Sequence, residues 1–155
     1  MADITLAAAV EQVGAVLREA FDGAQMWSYF TDHGADAGLL GTLAKLSAAD
    51  ASRRAGGTSV AAHAHHVAFS LEASAAWVRG DRTKRHWPDS WLVSTVDAAA
   101  WADLQKRLRA GYDDLRRAIE DHAAGSVEAF GGAVGTVAHI AYHLGAIKQK
   151  VAGLH

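Results

Sequence analysis

The sequence lacks cysteine altogether. That absence excludes disulfide bonds, thiolate metal ligands and cysteine nucleophiles. A transition-metal site in this chain would therefore have to be built from histidine nitrogens or from the carboxylate oxygens of Asp and Glu.

The sequence also lacks a large excess of either charge and has no long apolar run. The 15 Lys and Arg residues are offset by 17 Asp and Glu residues, and they form no basic stripe, so nucleic acid is not an expected partner. No apolar run approaches the roughly 20 residues of a membrane span. The opening MADITLAAAVEQ lacks the basic segment of a signal peptide. We expect a cytoplasmic protein that contacts neither nucleic acid nor a membrane.

Strand signals are nearly absent, and apolar residues recur with the 3.6-residue period of helices. Four long helices and one short helix predict an all-α protein, a four-helix bundle formed by residues 1–155 as a single domain. The first helix carries the apolar stripe Leu6, Val10, Val13, Leu17 and Phe21. The other predicted elements are a short helix over 37–46, a histidine-containing helix over 58–79, an irregular crossover over 80–95, a long helix over 95–119 and a last helix over 133–152.

Three capping positions are predicted from the sequence pattern, the first of them Thr58 or Ser59 at the start of the histidine-containing helix. Ser47 to Asp50 resembles a capping box inside the connection that follows the short helix. Thr95 is predicted to cap the long helix, because it directly follows the crossover and precedes a periodic segment.

The stretch SVAAHAHHVAFSL, residues 59–71, places three histidines within four residues of one helix. At about 100° per residue, His65 falls on a stripe that is predicted to face solvent, together with Ala61, Ala68, Glu72 and Arg79. His63 and His66 lie on flanks that can face the inside of a bundle.

The last helix, in GTVAHIAYHLGAIKQKV, carries His139 and His143 four residues apart. Side chains at this spacing stand one above the other, roughly 5 to 6 Å apart at Cβ, so two imidazoles can converge on one cation. Paired histidines also occur as exposed or hydrogen-bonded residues, and no Glu follows His139, so the HExxH protease motif is absent. Three imidazoles from two helices would leave coordination positions open for water or substrate.

The combination of SVAAHAHHVAFSLEA and AHIAYHLGAIKQ resembles the DinB/YfiT-like superfamily of small helical-bundle metalloenzymes. That superfamily has a histidine on its second long helix, matched here by His66, and an HxxxH pair on its last helix, matched by His139 and His143. Members often continue this pair with Arg-Gly-Gln, where this chain has Leu144, Gly145 and Ala146.

The resemblance implies that His66, His139 and His143 bind a divalent metal ion, with zinc or nickel favoured and iron or manganese as alternatives. It also implies a small-molecule substrate, including a low-molecular-weight thiol, and a homodimer. The predicted function is a metal-dependent hydrolase or thiol-dependent transferase. The alternative is a bundle that binds a metal or small molecule without turnover, and a purely structural role remains if the histidines do not converge.

Several other residues are candidates for a role near the site. His63 is a fourth ligand, a hydrogen-bond partner of a ligand or a packed histidine. His33 and His86 are expected to be solvated in loops, and Asp32 and Asp36 either cover the site or form a turn. The five aromatic residues outside the regular helix patterns either wall a pocket or fill a core or dimer interface: Trp27, Tyr29, Phe30, Trp87 and Trp91.

Overall fold

The computed structural model describes residues 3–154, and helices dominate it. Within that range lie six α-helices: α1 (Leu6–Asp22), α2 (Leu39–Ala44), α3 (Ala48–Ser52), α4 (Val60–Val78), α5 (Ala98–His122) and α6 (Val127–Ala152). A small antiparallel hairpin, β1 (Arg54–Ala55) and β2 (Thr58–Ser59), precedes α4. The predicted all-α class is confirmed. Of the described helices, none combines the length and apolarity needed to cross a membrane.

The four long helices α1, α4, α5 and α6 share one hydrophobic core. Helix α4 is the most enclosed of them, because it packs against α3, α5, α6 and the 3₁₀ turn Trp87–Trp91, which we call the crossover turn. The prediction that the stripe containing His65 faces solvent is therefore wrong in part. Ala61 and Ala68 are buried, and His65 is half-buried. Glu72 and Arg79 of that stripe are exposed, and they pair with Arg107 and Asp114 on α5.

Serine, threonine or aspartate side chains cap the starts of the described α-helices other than α2. Ser59 caps α4 and Ser126 caps α6, each accepting a hydrogen bond from the amide three residues on. The predicted cap at Thr95 is wrong, because Asp97 caps α5. The Ser52 hydroxyl donates to the carbonyl of Val96 and accepts from its amide.

The last helix begins at Val127, earlier than the predicted start at Ala133. The prediction treated the glycine pair Gly131 and Gly132 as a turn, but both glycines are helical. A Cβ on Gly132 would lie 2.6 Å from Cδ1 of Trp77. This glycine therefore permits close packing of α4 on α6.

The connection between α2 and α4 is more ordered than predicted. Ser47 caps the short helix α3, as the capping pattern indicated, and the hairpin follows. The Lys150 ammonium group on α6 donates hydrogen bonds to the carbonyls of Ala55 and Thr58. The short helix predicted over 37–46 covers only Leu39–Ala44 in the structure.

Candidate metal centre

Antiparallel packing of α4 on α6 brings His66, His139 and His143 together. Their ring centroids are 5.0, 4.6 and 4.7 Å apart, taken pairwise. One nitrogen from each ring lies within 4.8 Å of the other two, which is close enough for all three to bind one metal ion. His66 and His143 are buried and His139 is half-buried. The predicted convergence of these three histidines is confirmed.

A serine on the crossover turn sets the orientation of His66. The Ser90 hydroxyl donates to the carbonyl of Trp87 at 2.6 Å, so its oxygen accepts from Nδ1–H of His66 at 2.7 Å. The proton is thereby held on Nδ1, and the Nε2 lone pair of His66 points to the cluster, 2.9 Å from Nε2 of His139. Ser90 is fully buried. The sequence pattern did not indicate this residue, because the crossover has no periodicity from which the orientation of Ser90 could be predicted.

His63 lies beside the cluster. Its Nδ1 is 2.9 Å from Nδ1 of His143, so one of these rings donates a hydrogen bond to the other. This contact engages Nδ1 of His143 and leaves its Nε2 for another partner. His63 is not among the three clustered residues, and the geometry matches its interpretation as a hydrogen-bond partner of a ligand.

Burial keeps the four histidines neutral. Desolvation, reinforced by neighbouring histidines, lowers the pKa of His66 to about 4 and that of His143 to about 3. Desolvation also lowers the pKa of His139 and His63, with the charge of Lys150 contributing at His63. Neutral imidazole is the form that coordinates a metal, so the donor set fits a divalent transition metal ion near neutral pH.

Aromatic rings enclose the cluster on the side of the crossover turn. Trp91 stacks on His66, with centroids 4.2 Å apart and planes 20° apart. Trp87 lies 6.0 Å from His66 and 6.4 Å from His139, and Tyr142 meets His143 edge-on at 5.1 Å. Of the five aromatics singled out in the sequence, Trp87 and Trp91 therefore line the site.

The remaining aromatics lie elsewhere. Trp27 and Tyr29 are exposed in the loop after α1, and Phe30 borders an apolar groove between α1 and α6. Glu19 anchors this loop, because its carboxylate accepts hydrogen bonds from the backbone amides of Tyr29, Phe30 and Thr31.

The other candidate residues do not join the cluster. Nδ1 of His65 is 2.8 Å from the carbonyl oxygen of Ser90. His33 and His86 are exposed, as expected, and Asp36 forms an exposed ion pair with Lys45. Between residues 3 and 154, no Asp or Glu belongs to the three-nitrogen cluster. The covering role considered for Asp32 and Asp36 has no contact to support it.

A cavity of about 550 Å³ lies against His139, between the second half of α4 and the first half of α6. Its volume falls in the range of small-molecule sites, about 300 to 1,000 Å³. A ligand in this cavity would therefore lie next to the histidine cluster.

Comparison with known proteins found no match among protein-family models, curated proteins or solved structures. The resemblance to the DinB/YfiT-like superfamily, the homodimer and the small-molecule substrate stay predictions.

Proposed function

We propose that this chain is a DinB/YfiT-like four-helix-bundle protein that binds one divalent transition metal ion through His66, His139 and His143. The proposed activity is that of a hydrolase or a thiol-dependent transferase acting on a small molecule. One observation carries the proposal: three neutral imidazoles from two helices converge within 4.8 Å beside a cavity.

The residues around the cluster support metal binding more than a structural role. His66 presents Nε2 because Ser90 holds the Nδ1 proton, and His143 has Nδ1 engaged by His63. Such partners for the second ring nitrogen are typical of metal-ligating histidines.

An all-nitrogen donor set suits zinc, nickel, iron or manganese, and we propose zinc or nickel. A bound ion of this kind acts as a Lewis acid that lowers the pKa of a coordinated water or thiol. The chain's own contribution is to hold three imidazoles neutral and oriented, to shield them with Trp87 and Trp91, and to leave one side open to the cavity.

One observation favours a second candidate function, namely metal or small-molecule binding without turnover. The three-nitrogen cluster includes no carboxylate from the described part of the chain. The titratable side chains in contact with the cluster are histidines with lowered pKa values and Tyr142. A general base with a pKa near 7, which hydrolysis commonly uses, is therefore not evident.

The test is the metal content of tag-free protein, measured by mass spectrometry after purification without added metal. We expect about one ion per chain, lost in similar measure in His66→Ala, His139→Ala and His143→Ala. The matched control is His122→Ala, which removes an exposed histidine at the end of α5.

Full metal content in His139→Ala would contradict the shared site. Zinc-dependent turnover of an activated ester, or zinc-dependent thiol addition to an electrophile, would favour an enzyme. Stoichiometric metal without either activity would favour the binding protein.

A further inference from the structure

The cavity beside His139 is elongated along α4 and α6. Trp87 stands at its histidine end, 6.4 Å from His139. Trp77 lies at the other end, packed on Gly132. Gly132 and His139 are seven residues apart on one helix, which corresponds to about 10 Å along its axis. A ligand filling the cavity would therefore reach about 10 Å from the histidines.

Part of the wall of this cavity is formed by flat aromatic rings and small side chains. The two indole rings of Trp77 and Trp87 line it, together with small side chains that leave the floor open: Ala73, Ser74, Gly132, Gly135 and Thr136. Indole faces favour planar apolar groups. Small residues at the floor leave room for the body of a ligand.

The segment after α4 adds positive charge to this cavity. Arg82, Lys84 and Arg85 line it, against the single carboxylate of Asp81. Asp81 pairs with Arg85 at 3.4 Å. Lys84 has no ion-pair partner in the described part of the chain.

The Arg82 guanidinium marks the end of the cavity that lies far from the histidines. It stacks 3.9 Å above the Trp77 ring and donates to the carbonyl of Trp77. Local hydrogen bonds, with a smaller contribution from the charge of Arg82, lower the pKa of two carboxyls, Asp81 in the cavity lining and Glu128. Glu128 does not line the cavity. The lining residues therefore carry a net positive charge.

We infer that this cavity binds a small organic carboxylate with a flat apolar body. The body lies between Trp77 and Trp87, the carboxylate meets Arg82 and Lys84, and the opposite end of the ligand lies at His139. The assignment of this ligand as the substrate rests on the proposed metal-dependent function, but its binding through the cations does not require a metal.

The test uses metal-free protein and two probes of nearly the same shape, hydrocinnamate and its uncharged amide. Affinity is measured from shifts of the tryptophan indole N–H signals in NMR titrations. We expect the carboxylate to bind about fivefold more tightly than the amide, the effect of one partly exposed ion pair. Lys84→Gln should remove most of this preference, whereas Lys106→Gln, which neutralises an exposed lysine on α5, should retain it.

A second variant tests the location by filling the cavity. A Cβ at Gly135 meets no atom within 4 Å, so Gly135→Leu places its side chain in the cavity without a clash at Cβ. It should weaken both probes about tenfold, since it removes the space between the rings. Gly14→Leu is the control, because Gly14 also has open space but lies on α1 outside the cavity.

The outcomes separate this inference from the proposed metal site. Equal affinity for carboxylate and amide, or unchanged binding in Gly135→Leu, would overturn the inference even if all variants retain metal. A carboxylate preference that depends on Lys84 would support it even if the wild-type protein binds no metal, and the metal proposal would then fail alone.

Discussion

Removal of the Ser90 hydroxyl should weaken metal binding without touching a ligand. Ser90 is fully buried, and its hydroxyl connects Nδ1 of His66 to the carbonyl of Trp87. In Ser90→Ala both partners lose their hydrogen bond in a place where water does not reach. An unsatisfied buried polar group costs about 1 to 3 kcal/mol, so the free energy of unfolding should fall by about that amount.

The effect on metal affinity has two separable parts. If the Nδ1 proton of His66 were free to move to Nε2, about half of the rings would be unable to bind, which raises the dissociation constant only about twofold. Loss of the anchor also frees the crossover turn and the Trp91 ring stacked on His66. Removing such a partner of a metal ligand typically weakens binding about 10- to 100-fold. We expect a loss in that range, dominated by ring orientation.

The measurement is the zinc dissociation constant by competition with a chelator, combined with chemical denaturation of the metal-free protein. Ser70→Ala is the matched control, because Ser70 is equally buried on α4 but its hydroxyl bonds only to the carbonyl of Val67. A folded Ser90→Ala protein whose zinc affinity changes less than about twofold would refute the orienting role of Ser90.

Two further predictions concern the metal-free protein. Burial lowers the pKa of His66 to about 4 and of His143 to about 3, below the value of about 6.5 expected in the unfolded chain. Between about pH 6.5 and pH 5 the unfolded state therefore binds more protons than the folded state, so the free energy of unfolding should decrease as the pH falls through this range. The measurement is chemical denaturation at several pH values. A free energy of unfolding that stays constant over this range would contradict the burial of neutral imidazoles. At Glu19, burial raises the pKa but the amides of the following loop outweigh it and lower the pKa overall. Glu19→Gln should reduce the free energy of unfolding by about 1.5 to 3 kcal/mol, the range for hydrogen bonds to a charged group, and an unchanged denaturation midpoint would show that the loop needs no anchor.

The helical class and the shared face of His139 and His143 on α6 were predictable because both depend on local periodicity. Periodicity left both His63 and His66 on flanks of α4 that can face the inside of a bundle, and the choice of His66 followed from the family resemblance. The predicted start of α6 was wrong because a glycine pair such as Gly131 and Gly132 is typical of turns. In the structure, Gly132 is helical and leaves space for the Trp77 ring. That requirement is visible only once the two helices are placed together.

The support of the site was less predictable than its ligands. Ser90 lies in a crossover without periodicity, and its partner His66 is 24 residues away. The burial of Ala61 and Ala68 depends on how many elements surround α4, and one helix's pattern does not specify this number. The positions of Arg82 and Lys84 in the cavity also follow from how the chain folds back after α4.

The separation of the site residues along the chain has a consequence for biosynthesis. His66 and His139 are 73 residues apart, so a ribosome making about 5 to 20 residues per second needs several seconds to pass from one to the other. During that interval His63, His65 and His66 are already synthesised, without the partners that bury them. A metal ion captured by the nascent chain at this stage would be held by a single helix or by none. If the proposed metal site exists, selective binding has to await docking of α6, and metal occupancy would then indicate that the nascent chain has reached its native topology.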